Sequence, residues 1–203
     1  IPAVNLVGRG CLAQLKDEIG TLGCKKALVV SDKFLTENGV VEKVTKVLDQ
    51  VGIEHTLYND VKQNPSVANV EGGLEVLKKE NCDFIVSIGG GSPQDCGKAI
   101  SVLATNGGKI TDYEGVNKSQ KKCLPIVAIA TTAGTSAEVT INYVITDEET
   151  HIKMIMVDRN TLASITVNDP ELMLSKPAGL TAATGMDALT HAMEAVVANG
   201  AID

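Results

Sequence analysis

Short, almost continuously apolar runs alternate along this chain with segments of helical period, and this alternation limits the folds open to it. The runs are Lys26–Val30, Phe84–Ile88 and Ile126–Ile129. The helical segments that alternate with them are residues 40–50, 67–79 and 93–105. Because uninterrupted apolar runs of strand length are typical of strands buried on both faces, the β-α-β-α order predicts a Rossmann-like parallel sheet covered by helices on both sides.

The pattern changes after Thr131. Residues 142–146 and 153–157 are strand-like and flank the polar segment Asp147–Thr150, which predicts a hairpin. A further strand is predicted at residues 163–167. These elements extend the α/β region beyond the alternating part of the chain.

A long helix is predicted from Pro177 to Ala198, because proline is favoured at a helix start and the following sequence is rich in Ala and Met. Its apolar face comprises Met186, Leu189, Met193 and Val196. At most about two helical turns could follow within the chain, too few to cover that face. We therefore expect an α/β domain at residues 1–176 and, at residues 177–203, the first helix of a truncated helical domain.

The acidic balance of the chain argues against nucleic acid or an anionic membrane as a partner. Lys and Arg number 18 against 25 Asp and Glu, a formal net charge of −7, whereas a phosphate backbone requires a basic stripe.

The apolar runs are too short to span a membrane. Five cysteines without a CxxC pair indicate reduced thiols. Since the N-terminus carries no secretory signal, we expect a cytoplasmic protein.

Three glycines and a serine, Gly89 to Ser92, lie between a predicted buried strand and the helix after it. A helix N-terminus with bare backbone N–H groups stabilises an anion such as a pyrophosphate, and a Cβ there would block close approach. The spacing is not GxGxxG, so the usual dinucleotide fingerprint is absent. A tight strand-to-helix turn is the alternative explanation.

Two other predicted strands also end in polar residues. Asp32 can accept hydrogen bonds from an adenosine ribose, which would favour NAD over NADP, or it can cap a helix. The loop from Thr131 to Glu138 carries hydroxyls that can donate to phosphate or ribose, or can cap a turn. Because ligands bind outside the carboxyl ends of parallel strands, the three loops together predict a binding crevice.

Asp187 and His191 are four residues apart in the predicted C-terminal helix and therefore project from one face. A carboxylate and an imidazole at this spacing can share a divalent cation, and an ordinary helical Asp–His pair is the alternative. Two ligands are fewer than a catalytic metal site ordinarily has. The positions of His55 and His151 do not complete the set.

Several motifs together resemble the iron-dependent alcohol dehydrogenases. They are Val30-Ser31-Asp32-Lys33, Asn64-Pro65, Gly89 to Asp95, Thr131 to Thr135, Tyr143 to Asp147, Ile152 to Met154, Val167 to Pro170 and the long run Leu180 to Ala192. The resemblance extends over essentially the whole chain, and the last run is highly specific. It implies an N-terminal Rossmann-like domain of the dehydroquinate synthase type, followed by an all-helical domain.

The same resemblance implies NAD as the cofactor. Asp32 would bind the adenosine ribose, Asn64 would lie beside the dinucleotide, and Lys153 would contact the nicotinamide ribose. The other implied contacts are Gly90, Gly91 and Ser92 for the pyrophosphate and Thr131, Thr132 and Thr135 for phosphate and ribose. Many family members have His where this chain has Gln94, and we infer no functional change from that difference.

The metal implied by the resemblance is iron, with zinc as the alternative. Asp187 and His191 would be two of its ligands, and the family's other two ligands are histidines of the helical domain, beyond residue 203. The missing imidazoles would fix the coordination number and geometry. We therefore expect residues 1–203 to bind NAD but to hold a metal poorly.

The implied activity is that of an NAD- and metal-dependent dehydrogenase. It would interconvert a small primary alcohol or diol and its aldehyde by hydride transfer, and we expect a homo-oligomer. No residue of the chain is assigned as a general base. Two alternatives remain open: an NAD- and metal-dependent lyase of the dehydroquinate synthase type, and a non-catalytic NAD-binding fragment.

Overall fold

A computed structural model describes residues 2–199 of the chain. The strands in this range are β1 (Val4–Val7), β2 (Lys26–Val30), β3 (Glu54–Tyr58), β4 (Phe84–Gly89), β5 (Gly115–Val116), β6 (Ile126–Ala130), β7 (Asn142–Asp147), β8 (Ile152–Val157) and β9 (Ile165–Asn168). The α-helices in this range are α1 (Leu15–Glu18), α2 (Lys33–Glu37), α3 (Val40–Gln50), α4 (Val67–Glu80), α5 (Gly91–Asn106) and α6 (Ala178–Val197). Short 3-10 helices are Cys11–Gln14, Ile19–Leu22, Ile110–Tyr113, Ala137–Val139, Arg159–Thr161 and Pro170–Met173.

Six of the strands form one sheet in the order β1-β9-β6-β4-β2-β3. Every neighbouring pair in this sheet is parallel. Parallel strands need crossover connections, which helices α2 to α5 supply between β2, β3, β4 and β6. The predicted parallel α/β class is therefore confirmed.

Two hydrophobic layers enclose the parallel sheet. Successive residues of β2 point to opposite layers, so Ala27 and Val29 pack with α3, whereas Leu28 and Val30 pack with α4 and α5. The predicted apolar face of α3, Val40, Val41, Val44, Val47 and Leu48, is buried along its whole length. Coverage on both faces explains why the central strands are almost continuously apolar.

The predicted hairpin is present as the antiparallel pair β7 and β8, which forms a second sheet with β5. Tyr143 and Met156 of this sheet belong to the hydrophobic cluster that also contains α4 and α5. At the other end of the hairpin, the Thr146 N–H donates to the Pro65 carbonyl over 2.8 Å. The small sheet is thereby attached to the same side of the domain as α5.

Most of the predicted elements differ from the observed ones by one or two residues at an end. Helix α5 begins at Gly91 instead of residue 93, because the glycine loop itself supplies the N-cap. Strand β9 begins two residues later and ends one residue later than predicted, and the strands β1 and β5 were not predicted. None of the described residues of α6 is buried. The two expected domain segments extend past the described residues at residue 1 and at residues 200–203.

No helix within residues 2–199 is both long enough and apolar enough to cross a membrane.

Candidate NAD and metal site

The strand order reverses direction between β2 and β4. From β2 the chain continues to β3 on one side, then returns to place β4 on the other side of β2. Loops that leave two adjacent strands in opposite directions open a crevice at their carboxyl ends, where open parallel sheets bind ligands. Ser31 at the end of β2 donates its hydroxyl to the Ile88 carbonyl of β4 over 2.9 Å, and this bond fixes the two strand ends to each other.

The glycine loop brings the N-terminus of α5 to this crevice. Gly90 is the N-cap and has no side chain to cap the helix, so the first backbone N–H groups, those of Gly91 and Ser92, are left for a ligand. Gly89 has φ +153°, and the Pro93 ring occupies the position of the missing Cβ. Only glycine fits there, which holds the turn between strand and helix in one conformation.

The threonine loop, Thr131 to Thr135, follows β6 and packs directly against the glycine loop, Gly89 to Ser92. A Cβ on Gly90 would lie 3.1 Å from both Thr132 Oγ1 and Thr132 Cγ2, and a Cβ on Gly91 would lie 3.3 Å from Thr135 Cγ2. The Thr131 side chain is buried, while those of Thr132 and Thr135 are partly or largely exposed. The structure thus brings the two predicted loops together and places Thr132 and Thr135 beside the helix N-terminus.

Asn64, Ser92 and Lys153 form a hydrogen-bonded group at the same crevice. The Asn64 N–H donates to Ser92 Oγ over 3.3 Å, and Lys153 Nζ donates to Asn64 Oδ1 over 3.0 Å. Asn64 has φ +54°, a left-handed conformation that asparagine tolerates better than most residues. Residues from three distant parts of the sequence therefore meet at one point, and their cofactor roles stay a prediction.

Asp32 caps a helix, one of the two roles that its position allowed. Its Oδ1 accepts a hydrogen bond from the Leu35 N–H over 2.8 Å at the start of α2. A carboxylate has a second oxygen that a cap of this kind does not use. The cap and a ribose contact are therefore compatible, and the cap orients the carboxylate at the end of β2.

Asp187 and His191 point toward each other on α6. The distance from His191 Nε2 to Asp187 Oδ1 is 3.6 Å, and the side chains are 61% and 42% exposed, respectively. A Cβ on Gly134 would lie 3.1 Å from Asp187 Oδ2 and 2.9 Å from the Thr184 carbonyl oxygen. The backbone of the threonine loop therefore contacts α6 at Asp187, so the predicted half-site for a metal borders the predicted NAD crevice.

Within residues 2–199 no group of three or more His, Cys, Asp or Glu side chains is arranged to hold a metal ion. Asp187 and His191 nevertheless fit such an ion as a partial site, because a carboxylate oxygen and an imidazole nitrogen are ligands that Fe²⁺ and Zn²⁺ accept. His55 lies near Asp49 instead, with 3.6 Å between Nδ1 and Oδ1. His151 is exposed in the hairpin turn.

Gln94 lies inside the fold, away from the crevice. Its side chain is buried, and Nε2 donates to the Ile129 carbonyl over 3.0 Å. The Ser87 hydroxyl donates to Gln94 Oε1. The amide thus joins β4 to β6 beneath the glycine loop and has a structural role.

Two charged residues of α5, Asp95 and Lys98, were missed by the sequence reasoning. Burial raises the pKa of the Asp95 carboxyl to about 6, although the Lys98 ammonium and a hydrogen bond from the Val144 N–H act in the opposite direction. Burial likewise lowers the pKa of Lys98 to about 8, against the effect of Asp95 and Glu138. The GGGSPQDCGK run carries both residues, but nothing in its spacing indicates that they face inward.

Replacing Asp95 by asparagine is expected to change how stability depends on pH. The pKa of Asp95 in the folded chain, about 6, lies above its ordinary value of 3.8, so the folded state binds an additional proton between these values. This contribution to the free energy of unfolding is fully present below about pH 3.8 and is lost as the pH rises through about 6. Relative to the parent, Asp95→Asn should gain roughly 1–3 kcal/mol between pH 4 and pH 6.

Urea denaturation at a series of pH values checks this expectation. Asp83→Asn, which changes a carboxylate elsewhere in the fold that accepts backbone hydrogen bonds from Lys25 and Lys26, is the comparison variant. If Asp95→Asn and the parent give parallel curves across this range, the carboxyl is not protonated by burial.

An open parallel sheet with a glycine-capped helix N-terminus at its switch point defines an α/β domain of the dinucleotide-binding class. The sequence matches the family model of the iron-containing alcohol dehydrogenases over residues 2–170. The chain belongs to that family.

The similarity to individual members extends along almost the whole chain. It is 54% identical over 201 residues to alcohol dehydrogenase 4 of Schizosaccharomyces pombe, covering 99% of this chain and 48% of that protein. It is 47% identical over 201 residues to the NAD-dependent methanol dehydrogenase of Bacillus methanolicus, covering 99% of this chain and 53% of that protein. The chain spans about half the length of the curated relatives it matches.

Solved structures agree with the fold. The crystal structure of a 1,3-propanediol oxidoreductase superposes with a TM-score of 0.96 at 46% identity, covering 99% of this chain and 53% of that one. Sulfoacetaldehyde reductase from Bifidobacterium kashiwanohense, solved in complex with NAD⁺, superposes with a TM-score of 0.87 at 34% identity, covering 96% and 51%. The parallel-sheet domain is thus shared with these solved structures.

Proposed function

We propose that this chain binds NAD at the β2–β4 switch point as the cofactor half of a metal-dependent alcohol dehydrogenase. The observation that carries the proposal is the contact of the glycine loop with the threonine loop, whose Gly134 in turn borders Asp187. Supporting it, relatives carry the names NAD-dependent methanol dehydrogenase and 1,3-propanediol dehydrogenase. The substrate class is accordingly a small primary alcohol or diol and its aldehyde.

Each group of residues in the crevice would contact a different part of the cofactor. The N–H groups of Gly91 and Ser92, with the dipole of α5, would hold the pyrophosphate. Asp32 would accept from the adenosine ribose, while Asn64 and Lys153 would lie at the nicotinamide ribose. Thr131, Thr132 and Thr135 would donate to phosphate and ribose. When bound, NAD would supply hydride transfer with the alcohol carbon, and these residues would hold its nicotinamide half on the side of the crevice that borders α6.

Asp187 and His191 would hold a divalent cation, iron or zinc, as part of a ligand set completed elsewhere. When bound, the cation supplies Lewis acidity toward the alcohol or carbonyl oxygen. In this proposal, α6 holds the Asp187 carboxylate and the His191 imidazole on one face, next to the threonine loop.

The same proposal includes a domain boundary, an oligomeric state and a cellular location for the chain. A boundary near residues 176 and 177 is supported by α6, which has no buried residue in the described range. A homo-oligomer is supported by the free outer edge of β1 within residues 2–199, where Val7 is exposed. A cytoplasmic setting is supported by the five cysteines, all of which are free thiols.

The proposal is tested by mixing the protein with NAD, a small alcohol such as ethanol or 1,3-propanediol, and ferrous or zinc ion, and following NADH. Metal-dependent formation of NADH is expected from a protein with the complete ligand set. If the 203-residue chain clearly binds NAD but shows no turnover, the result supports the alternative that it is a non-catalytic NAD-binding fragment. Absence of NAD binding overturns the proposal. A lyase would consume its substrate without net formation of NADH.

The metal half-site is tested by its affinity for Zn²⁺. We expect the chain to bind Zn²⁺ weakly, and Asp187→Asn and His191→Ala each to weaken that binding by at least about tenfold. Competition with a chelating dye measures the affinity of each variant for Zn²⁺. Glu149→Gln, which removes an exposed carboxylate of the hairpin turn, should leave it unchanged. Equal affinities for the parent and both half-site variants would refute the assignment.

A further inference from the structure

Lys98 is a fully buried lysine in the middle of α5, and the proposed reaction does not use it. Only 1% of its surface is exposed. An ammonium group in such a place is costly unless each of its three N–H groups has an acceptor. Nζ lies 2.7 Å from the Ala137 carbonyl oxygen, 2.9 Å from that of Thr140 and 2.8 Å from that of Asn142. Thr140 Oγ1 is a further neighbour at 3.2 Å.

All of these acceptors lie on the segment that follows the threonine loop. Before β7 this segment has little regular structure to hold it, only the short 3-10 helix Ala137–Val139, preceded by Ser136 with φ +50°. The third acceptor, Asn142, is the first residue of β7. The carbonyls of Ala137, Thr140 and Asn142 all converge on the one ammonium group. Asp95, one turn earlier on α5, accepts from the Val144 N–H over 3.1 Å. One helix therefore holds the segment at several successive points.

The same helix carries the glycine loop at its N-terminus. Gly90 and Gly91 contact Thr132 and Thr135, and Gly134 contacts α6 at Asp187. The threonine loop thus lies between two attachments to α5, one at the glycine loop and one at Lys98. Because an α-helix is rigid over two turns, the distance between these attachments is fixed.

We propose that Lys98 is a positioning residue that, through the segment it binds at residues 137–142, sets the threonine loop, Thr131 to Thr135, against the glycine loop and against α6. This inference rests on the proposed function, because the loop matters to catalysis only if it carries cofactor contacts. Lys98 itself touches neither cofactor nor metal. It acts through the carbonyls it binds, and its loss should loosen the nicotinamide side of the crevice more than the adenosine side.

The test compares NAD with AMP as ligands of the parent chain and of Lys98→Met. Methionine keeps the length and apolar stem of lysine but removes the ammonium donor from three carbonyls, of which that of Ala137 keeps the 3.4 Å bond from the Thr140 N–H. We expect the Kd for NAD to rise about tenfold and that for AMP to change by less than about twofold, because AMP lacks the half of the cofactor nearest the loop. Amide hydrogen exchange should accelerate in residues 131–142 and stay unchanged in β4.

Lys98→Gln is the second variant, since a neutral amide with two donors fits a buried site and should restore part of the NAD affinity and of the exchange protection. It also keeps the proposal testable if the methionine variant does not fold. Parallel changes in NAD and AMP affinity, or unchanged exchange in the loop, overturn the proposal. If the parent chain binds both AMP and NAD and Lys98→Met binds them with the same affinities, the role of Lys98 is contradicted but the proposed function is not. A parent that binds neither contradicts the proposed function.

Discussion

Replacing Gly90 by valine is expected to weaken NAD binding about a hundredfold, the largest loss we anticipate for a single change in the crevice. The backbone at Gly90 has φ −79°, which any L-residue can adopt, so what glycine contributes here is space. A Cβ at this position would lie 3.1 Å from Thr132 Oγ1, and the branched methyl groups of valine would extend over the N-terminus of α5. They would occupy the place of the pyrophosphate and push the threonine loop away.

Isothermal titration with NAD measures the effect, and Gly20→Val is the matched control. Gly20 is exposed, has nothing within 4 Å of its missing Cβ and lies in a 3-10 helix remote from the crevice. The control variant should bind NAD as the parent does. If Gly90→Val folds and binds NAD with the parent's affinity, the glycine loop is only a turn and the anion site lies elsewhere.

The parallel-sheet domain was predictable because its signals are local. Continuous apolar runs mark strands covered on both faces, and the period of α3 matches its buried side along its whole length. The sheet's crevice was also predictable, since the carboxyl ends of parallel strands must share one edge. The sequence therefore predicts that Asp32 and the glycine loop lie at the same edge of the sheet.

The missed features depend on contacts between distant residues. Strand β1 has only four residues, and its pairing with β9 joins parts of the chain far apart in sequence. Lys98 reaches carbonyls about forty residues away, and carbonyl acceptors leave no signature in side-chain identity. Gly134 is required by the close approach of α6, which no local pattern shows. These are tertiary constraints, so only the folded arrangement reveals them.

The two explanations of Asp32 left open by the sequence are both compatible with the structure, and this permits a sharper experiment than deletion of the side chain. The cap needs an oxygen acceptor, which serine also provides. Discrimination against a 2′-phosphate needs a negative charge, which serine lacks. Asp32→Ser should therefore preserve the start of α2 and remove only the repulsion. Asp32→Ala should additionally cost about 1 kcal/mol of stability through loss of the cap.

We expect Asp32→Ser to shift the ratio of NADP to NAD affinity about thirtyfold toward NADP, since one unit charge near a phosphate at a partly buried site contributes a few kcal/mol at most. Direct titration of both cofactors gives the ratio. Asp60→Ser is the control for net charge, because Asp60 lies nearby, paired with Lys33 at 3.0 Å, yet is largely exposed. An unchanged ratio in Asp32→Ser, with α2 intact and NAD still bound, would leave Asp32 with the cap as its sole function. A shift shared by both variants would instead trace the preference to the overall charge of this edge of the sheet, and only a shift confined to Asp32→Ser assigns cofactor choice to that carboxylate.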